Sequence, residues 1–323
     1  MEASMAVLGL DISKAKIHLA LRTADGKLRR KVCRNDVSGF GELLAWVARY
    51  AAPSMHACLE ATGTYGDGVA LALHEAGYTV SIVNPAAIHA YAASQLMRAK
   101  TDAVDAALIA EFCRTQRPPA WTPPAAEIRA LQALVRRLDA LLAMHTQEAN
   151  RLAAGVSIAD VRTSIEAILA SLDAQIAHVR QRIRDHIDRH PGLRQQRDLL
   201  TSIPGIGDAT AATLIAELFD KPYRSARQAA AFAGVVPRIQ QSGQWRGRAR
   251  LSKLGPGRVR KALYFPAITA IRCNPTINAT AQRLRASGKP AMVIIGAAMR
   301  RLVHLAFGVL KSRRPYAPDL ARP

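Results

Sequence analysis

Four carboxylates sit where a protein could hold a hard cation. Asp11 ends the apolar run Val7-Leu8-Gly9-Leu10. Glu60 ends another, His56-Ala57-Cys58-Leu59, just before Ala61-Thr62-Gly63-Thr64-Tyr65. Asp102 and Asp105 lie in Lys100-Thr101-Asp102-Ala103-Val104-Asp105-Ala106, at the start of an apolar helical pattern. A carboxylate at a buried strand end is costly unless a cation or partner neutralises it. Asp102 and Asp105 are spaced i, i+3, so both side chains can share one helix face. Two strand-end acids facing that turn would complete an oxygen-rich cage suited to Mg²⁺. Two such ions ~4 Å apart activate an attacking oxygen and stabilise a leaving one. Each acid also has a plainer role when taken alone: Asp102 as an N-cap, Glu60 as an ordinary strand-end acid.

Charge points to the substrate class. The 323 residues carry a formal charge of +21 and a sequence pI near 10.7. Residues 1–115 hold 12 Lys+Arg against 11 Asp+Glu, residues 116–193 hold 10 against 8, and residues 194–323 hold 23 against 5. The acidic site therefore falls in a nearly neutral part, and polyanion-binding potential falls in the C-terminal part. Aromatics make up only 5%, which argues against a base-stacking single-strand binder. The four cysteines show no CxxC spacing and the histidines no zinc-ligand spacing, so reduced cysteines and no zinc site are expected. No signal pattern opens the chain and no run of 18 apolar residues occurs, so a soluble intracellular protein is expected.

The elements that must position the acids are legible as a pattern. Strands are expected over Ala6–Ile12, Lys16–Arg22, Lys27–Arg34, His56–Glu60 and Thr79–Val83. Helices are expected over Phe40–Tyr50, Gly66–Ala76, Ala86–Gln95 and Asp105–Cys113. Three early strands followed by alternating strands and helices describe a mixed sheet with helices on its faces. That is the order of a ribonuclease-H-like fold, although other α/β folds share it.

The break Arg117-Pro118-Pro119-Ala120-Trp121-Thr122-Pro123-Pro124 marks a boundary. Beyond it Leu131, Leu134, Leu138 and Leu141, then Ile165, Leu169, Leu172, Ile176, Val179 and Ile183, repeat at heptad spacing until His190-Pro191-Gly192. The two seams either satisfy each other in a hairpin or join protomers in a coiled coil, and a role in assembly is the expectation. Pro204-Gly205-Ile206-Gly207 resembles a helix-hairpin-helix turn, in which Gly205 and Gly207 would let backbone N–H groups approach a phosphate; a plain tight turn is the alternative. From Gly234 to Lys261 no acid occurs, whereas Arg238, Arg246, Arg248, Arg250, Lys253, Arg258, Arg260 and Lys261 do. Such cations repel one another without a polyanion. Met292–Leu310 reads as an apolar helix packing this region, and the Pro-rich tail after Arg314 as loose.

Six blocks occur in order and at spacing: Gly9-Leu10-Asp11-Ile12-Ser13-Lys14, Leu59-Glu60-Ala61-Thr62-Gly63-Thr64-Tyr65, Val83-Asn84-Pro85, Lys100–Ala106, Ile203-Pro204-Gly205-Ile206-Gly207 and Phe232-Ala233-Gly234. Together they resemble the DEDD-type insertion-sequence transposases of the one-ten family, which include bridge-RNA-guided recombinases and resemble site-specific DNA invertases. The likeness runs over nearly the whole chain. It implies an α/β plus all-α architecture: a RuvC-like DEDD domain over 1–117, linker and coiled-coil helices over 118–193, a mainly helical transposase domain over 194–314 and a tail over 315–323. It maps the four acids onto Asp11, Glu60, Asp102 and Asp105 as catalytic ligands for Mg²⁺. It also implies a serine nucleophile in the C-terminal domain. The matching block is Pro237-Arg238-Ile239-Gln240-Gln241-Ser242-Gly243, which makes Ser242 the candidate and Ser252 the second. The stretch Gln244-Trp245-Arg246-Gly247 after it is a residue shorter than the family pattern.

The resemblance further implies target and donor DNA as partners, a structured guide RNA, a homo-oligomer (dimer or tetramer), and action at the prokaryotic nucleoid in the cytoplasm. Arg238, Arg246, Arg248, Lys253 and Lys261 are the expected nucleic-acid contacts. Two rivals remain at this point. A hydrolytic structure-specific nuclease of the Holliday-junction-resolvase type would need the acids but no serine. A non-enzymatic DNA-binding protein would need neither.

Overall fold

The computed structural model describes residues 5–50, 54–61, 63–96, 101–238, 241–242, 245–246 and 250–318. The chain divides into two compact units, Met1–Pro123 and Pro124–Pro323.

The first unit is built on β1 (Val7–Ile12), β2 (Lys16–Arg22), β3 (Leu28–Arg34), β4 (His56–Glu60) and β5 (Thr79–Val83), in the order β3-β2-β1-β4-β5. The first three strands pair antiparallel, and β4 and β5 join β1 in parallel. That order and pairing are ribonuclease-H-like. Side chains alternate across the sheet. Leu8, Leu10, Ala57 and Leu59 turn to one layer with Leu43 and Val47 of α1 (Val37–Tyr50) and Leu73 of α2 (Asp67–Glu75). Val7, Ala20 and Cys58 turn to the other, against Ile88 of α3 (Pro85–Ser94) and Ala106, Ile109 and Cys113 of α4 (Asp102–Gln116). The parity that buries Val7 and Cys58 under α4 carries Asp11 and Glu60 to that same face.

Gly9 sets how closely α4 approaches. A Cβ there would lie 2.1 Å from Ala106 O and 2.4 Å from Ala110 N, so the α4 backbone rests directly on β1. Asn84 caps α3 by accepting from Ala86 N at 2.9 Å, with Pro85 at the first helical position, which gives Val83-Asn84-Pro85 its local reason. The proline-rich break is fastened to β5: Trp121 N donates to Val80 O at 2.6 Å, and Ser81 Oγ to Pro119 O at 2.7 Å. The unit thus ends at Pro123, beyond the expected boundary at 117.

In the second unit α5 (Ala126–Ala153) and α6 (Ala159–Arg189) form an antiparallel hairpin, with His186 Nε2 2.8 Å from Glu127 O. Leu131 and Leu141 face Ile176, Val179 and Ile183, so the two heptad seams satisfy each other within the chain. Both helices share one core with α7 (Pro191–Thr201), α8 (Asp208–Glu217), α9 (Ala226–Phe232), α10 (Gly257–Cys273), α11 (Pro275–Ala286) and α12 (Ala291–Ser312). Gln132 Nε2 donates to Ala216 O at 2.8 Å and Arg136 Nε lies 2.8 Å from Glu217 Oε1, tying α5 to α8. The helices of the segment expected as linker and coiled-coil helices, 118–193, share their core with the helices that follow. Helix α12 is long and apolar enough to cross a membrane by composition, but Ile294, Leu302, Val303 and Ala306 are buried in that core.

Two features differ from the sequence expectation. The basic stretch forms two-residue strands, β6 (Pro237–Arg238) with β9 (Arg250–Leu251) and β7 (Gln241–Ser242) with β8 (Trp245–Arg246). The start of the tail is also pinned: Tyr316 N donates to Ser202 Oγ at 2.8 Å and its hydroxyl donates to Asn274 Oδ1 at 3.1 Å, while 319–323 lie outside the described residues. Asn274 is fully buried, so these bonds replace water it cannot reach.

Candidate active site

The acids lie at one end of the sheet. Asp11 closes β1 and Glu60 closes β4, adjacent parallel strands. Thr101 caps α4, its Oγ1 accepting from Val104 N at 3.3 Å. The helix therefore begins at Asp102 rather than at Asp105, and Asp102 is freed from a capping role. Because α4 lies against Gly9, its first turn falls beside the end of β1. Asp11 is half-buried, and burial raises its carboxyl above the usual carboxylate range. The charges of Asp102, Asp105 and Glu60 push the same way, while His18 pulls it back. The other three acids thus all act on the Asp11 carboxylate.

His18 and Asn35 belong to this region and were not singled out from sequence. His18 is the direct cross-strand partner of Asp11, and its Nε2 lies 3.3 Å from Asp102 Oδ2. Asn35 Nδ2 donates to Ser13 O at 2.9 Å and Tyr65 O at 3.1 Å, pinning the loops that follow β1 and β4. The register of the β1–β2 hairpin is the signal that finds His18, since residues directly opposite share a face. Asn35 makes only backbone contacts across distant loops and leaves no such trace.

The donor set is all oxygen and His18 offsets its mutual repulsion only in part, which suits a divalent cation. Among the described residues, however, no three His, Cys, Asp or Glu side chains are close enough to hold one ion as they stand. The acids share an electrostatic field but do not close into a cage.

Ser242, in the second unit, is exposed on β7 opposite Trp245. Ser252 differs: its backbone N–H donates to Val236 O at 2.9 Å, and its Oγ is buried with no partner among the described residues. Arg238 and Arg250 are exposed and directly opposite on β6 and β9, a like-charge pair that is unfavourable without an anion. Lys253 is exposed with φ of 54°, its N–H donating to Gly234 O at 3.2 Å. Arg260 is structural, donating to Gly255 O at 2.9 Å and Ala233 O at 3.3 Å. Arg248 and the side chain of Arg246 lie outside the described residues.

The two turn glycines separate in role. Gly205 has φ of +105° and packs on α10, where a Cβ would lie 2.7 Å from Ala270 Cβ. Gly207 is open and stands at the N-cap of α8, where it offers no side-chain cap to the helix N–H groups. Beside it, Asp208, Thr210, Phe265 and Lys261 line a cleft of about 480 Å³. Lys261 Nζ lies 3.6 Å from Asp139, on the wall of the same cleft.

Two family profiles match the chain: DEDD transposase over residues 8–158 and the transposase IS116/IS110/IS902 family over residues 197–282. The chain belongs to the IS110 family of transposases. Among its relatives, the pilin gene-inverting protein of Moraxella bovis is 31% identical over 318 residues, covering 97% of this chain and 98% of that protein. A probable family 20 transposase of Pseudomonas aeruginosa is 26% identical, covering 96% and 98%. The transposase of element IS1328 from Yersinia enterocolitica is 25% identical, covering 80% and 82%. RuvC of Thermus thermophilus, solved with a Holliday junction substrate, is 14% identical with a TM-score of 0.29, covering 36% of this chain and 99% of RuvC. As an IS110 transposase the protein is a DNA-recombining enzyme. Its family profile spans all four acids, and the second profile spans Gly205, Gly207 and Ser242.

Proposed function

We propose that this transposase cuts and rejoins the DNA strands of its own insertion sequence by a Mg²⁺-dependent, serine-nucleophile mechanism. The observation that carries the reading is the common field of Asp11, Glu60, Asp102 and Asp105 at the end of β1. These four would hold Mg²⁺, which when bound would offset charge developing on the reacting phosphate. Ser242 supplies the nucleophile because its hydroxyl is exposed, whereas that of Ser252 is buried. Its Oγ attacks phosphorus, one P–O bond to a deoxyribose oxygen breaks, and the serine proton ends on the released hydroxyl. Attack by a hydroxyl of another strand then reverses the step. One phosphoester is kept throughout, so resealing needs no ATP.

Acids and serine lie in separate compact units, which supports assembly of sites in a dimer or tetramer. Exposed Ile158, Val161 and Ile168 on and beside α6 offer apolar surface for such contacts. Arg238, Arg250, Lys253, Gly207 and Lys261 are proposed to grip target and donor DNA, with Arg246 and Arg248 in the same stretch. The kinship supports a structured guide RNA and action at the nucleoid in the cytoplasm.

The test uses the full chain purified from cells carrying its flanking DNA. We expect one discrete co-purifying RNA and a Mg²⁺-dependent protein–DNA adduct that survives denaturation and vanishes in Ser242→Ala. Cleavage that persists in both Ser242→Ala and Ser252→Ala would instead establish a hydrolytic nuclease. Heterogeneous RNA would remove the guide from the reading.

A further inference from the structure

Strands β2 and β3 read Lys-Ile-His-Leu-Ala-Leu-Arg and Leu-Arg-Arg-Lys-Val-Cys-Arg. They carry six cations and no acid, within a region where the two signs are nearly equal in number. The register sorts these cations by face. Opposite residues form the row Asp11–His18–Val32, flanked on β2 and β3 by Ala20–Arg30 and Lys16–Arg34. Arg29 and Lys31 turn to the other face, over Tyr50 and toward Glu42. Helix α4 packs over β1, β2 and β4, and Arg22 of β2 is tied to its Glu111 at 3.4 Å. The part of this layer on β3 is open: Val32 is 51% exposed, Leu28 37%, and Arg30 and Arg34 are exposed, as is Lys16 at the start of β2. Arg34 lies 3.5 Å from Asp36, whereas Arg30 and Lys16 have no acidic partner among the described residues.

Edge strands carry charge to discourage sheet extension. That purpose is served by either sign and on either face. Here one sign is collected on the face, and in the rows, that lead to Asp11. With strands ~4.8 Å apart, Val32 stands about 10 Å from Asp11 along its row, and Arg30 and Arg34 lie one row to either side. Two cations flanking an exposed apolar residue suit the charged and apolar parts of one nucleic-acid strand. A strand with one phosphate at the acids must cross the adjoining rows of the sheet.

We propose that Lys16, Arg30, Val32 and Arg34 form a track for the DNA strand whose phosphate enters the acid site. The inference rests on the proposed chemistry at Asp11 and adds the path by which the strand reaches it. The opposing signs divide the labour: cations hold the flanking phosphates, and the acids face the reacting one.

The experiment uses the full chain with its cognate DNA. In the double variant Lys16→Gln/Arg30→Gln, the slope of log Kobs against log salt should fall by about 2, from ~0.9 per lost phosphate contact. Affinity near physiological salt should fall about tenfold. In a separate variant, Val32→p-benzoylphenylalanine, irradiation should cross-link the protein to DNA nucleotides beside the cut. All these residues are exposed, so circular dichroism should match the parent. An unchanged slope and affinity, a cross-link only to RNA, or no cross-link at all would overturn the track. Asp11→Asn separates the two readings. If it still cuts, the proposed chemistry fails; if it is inactive while the Lys16→Gln/Arg30→Gln variant binds as the parent does, only the track fails.

Discussion

Gly9→Ala should couple a packing defect to a catalytic one. The added methyl would sit 2.1 Å from Ala106 O and 2.4 Å from Ala110 N, and both are backbone atoms, so no rotamer relieves the clash. To reach ordinary contact at 3.4 Å, α4 must back away by about 1.3 Å. Overpacking of this kind costs about 1–3 kcal/mol. At about 4 °C per kcal/mol, the melting temperature of the first unit should drop by roughly 4–12 °C. The same retreat carries Asp102 and Asp105 away from Asp11. Misplacement of a reacting group by about 1 Å costs on the order of 10²-fold in rate. Calorimetry and Mg²⁺-dependent cleavage of element-end DNA would measure both effects, with Gly41→Ala as control. Gly41 lies exposed in α1 with nothing within 4 Å of the added carbon, so that variant should be unchanged or slightly stabilised. If Gly9→Ala melts and cuts like the parent, α4 does not hold the acids in the way described.

Three more outcomes follow from single side chains. Asp11 binds its proton more tightly folded than unfolded, so its ionisation lowers stability as pH rises through the carboxylate range. Asp11→Asn should therefore raise the melting temperature at neutral pH while abolishing cleavage, and the gain should disappear below the unfolded carboxylate pKa; a thermal-shift series across pH reads this. Ser252→Ala removes a buried hydroxyl that has no partner among the described residues, so it should hold or raise stability by up to about 1 kcal/mol in urea denaturation and keep strand exchange, whereas Ser242→Ala should lose the covalent adduct. Arg238→Gln relieves its opposition to Arg250 and should reduce the salt slope of DNA binding by about 0.9 without lowering the melting temperature.

The first unit was legible because two periods agree. Alternation in Val7–Leu10 and His56–Leu59 fixes which way Asp11 and Glu60 face, and the i, i+3 spacing fixes Asp102 and Asp105. The start of α4 was read three residues late because Thr101 caps through its side chain, ahead of the apolar residues that mark the helix. The contact at Gly9 was not legible, since nothing in an apolar strand says which glycine will meet a helix backbone. Strands of two residues, as in β6 to β9, are too short to show any period. The heptads were visible, but their partner was not: a seam written in Leu and Ile reads the same whether it meets its own chain or another. Tyr316 escaped because its hydrogen bonds reach Ser202 and Asn274, far away in sequence.

The spread of the acids and the basic rows beside them have a common explanation. Mg²⁺ gives up water reluctantly and is usually held by one or two carboxylates together with substrate phosphates. Four acids closed into a complete cage would bind an ion tightly without DNA and leave no position for the reacting oxygen. Here Asp11 is repelled by its neighbours, and His18 rests on Asp102 at 3.3 Å, so part of the set is engaged by protein. Phosphates brought along Lys16, Arg30 and Arg34 would complete the coordination that the protein leaves open. Metal affinity should then rise when DNA is bound, and DNA affinity should rise equally with metal, because the coupling is reciprocal. Calorimetric titration of Mg²⁺ with and without cognate DNA, in Ser242→Ala to prevent turnover, measures that coupling directly. Equal metal affinity in both cases would mean that the four acids close by themselves.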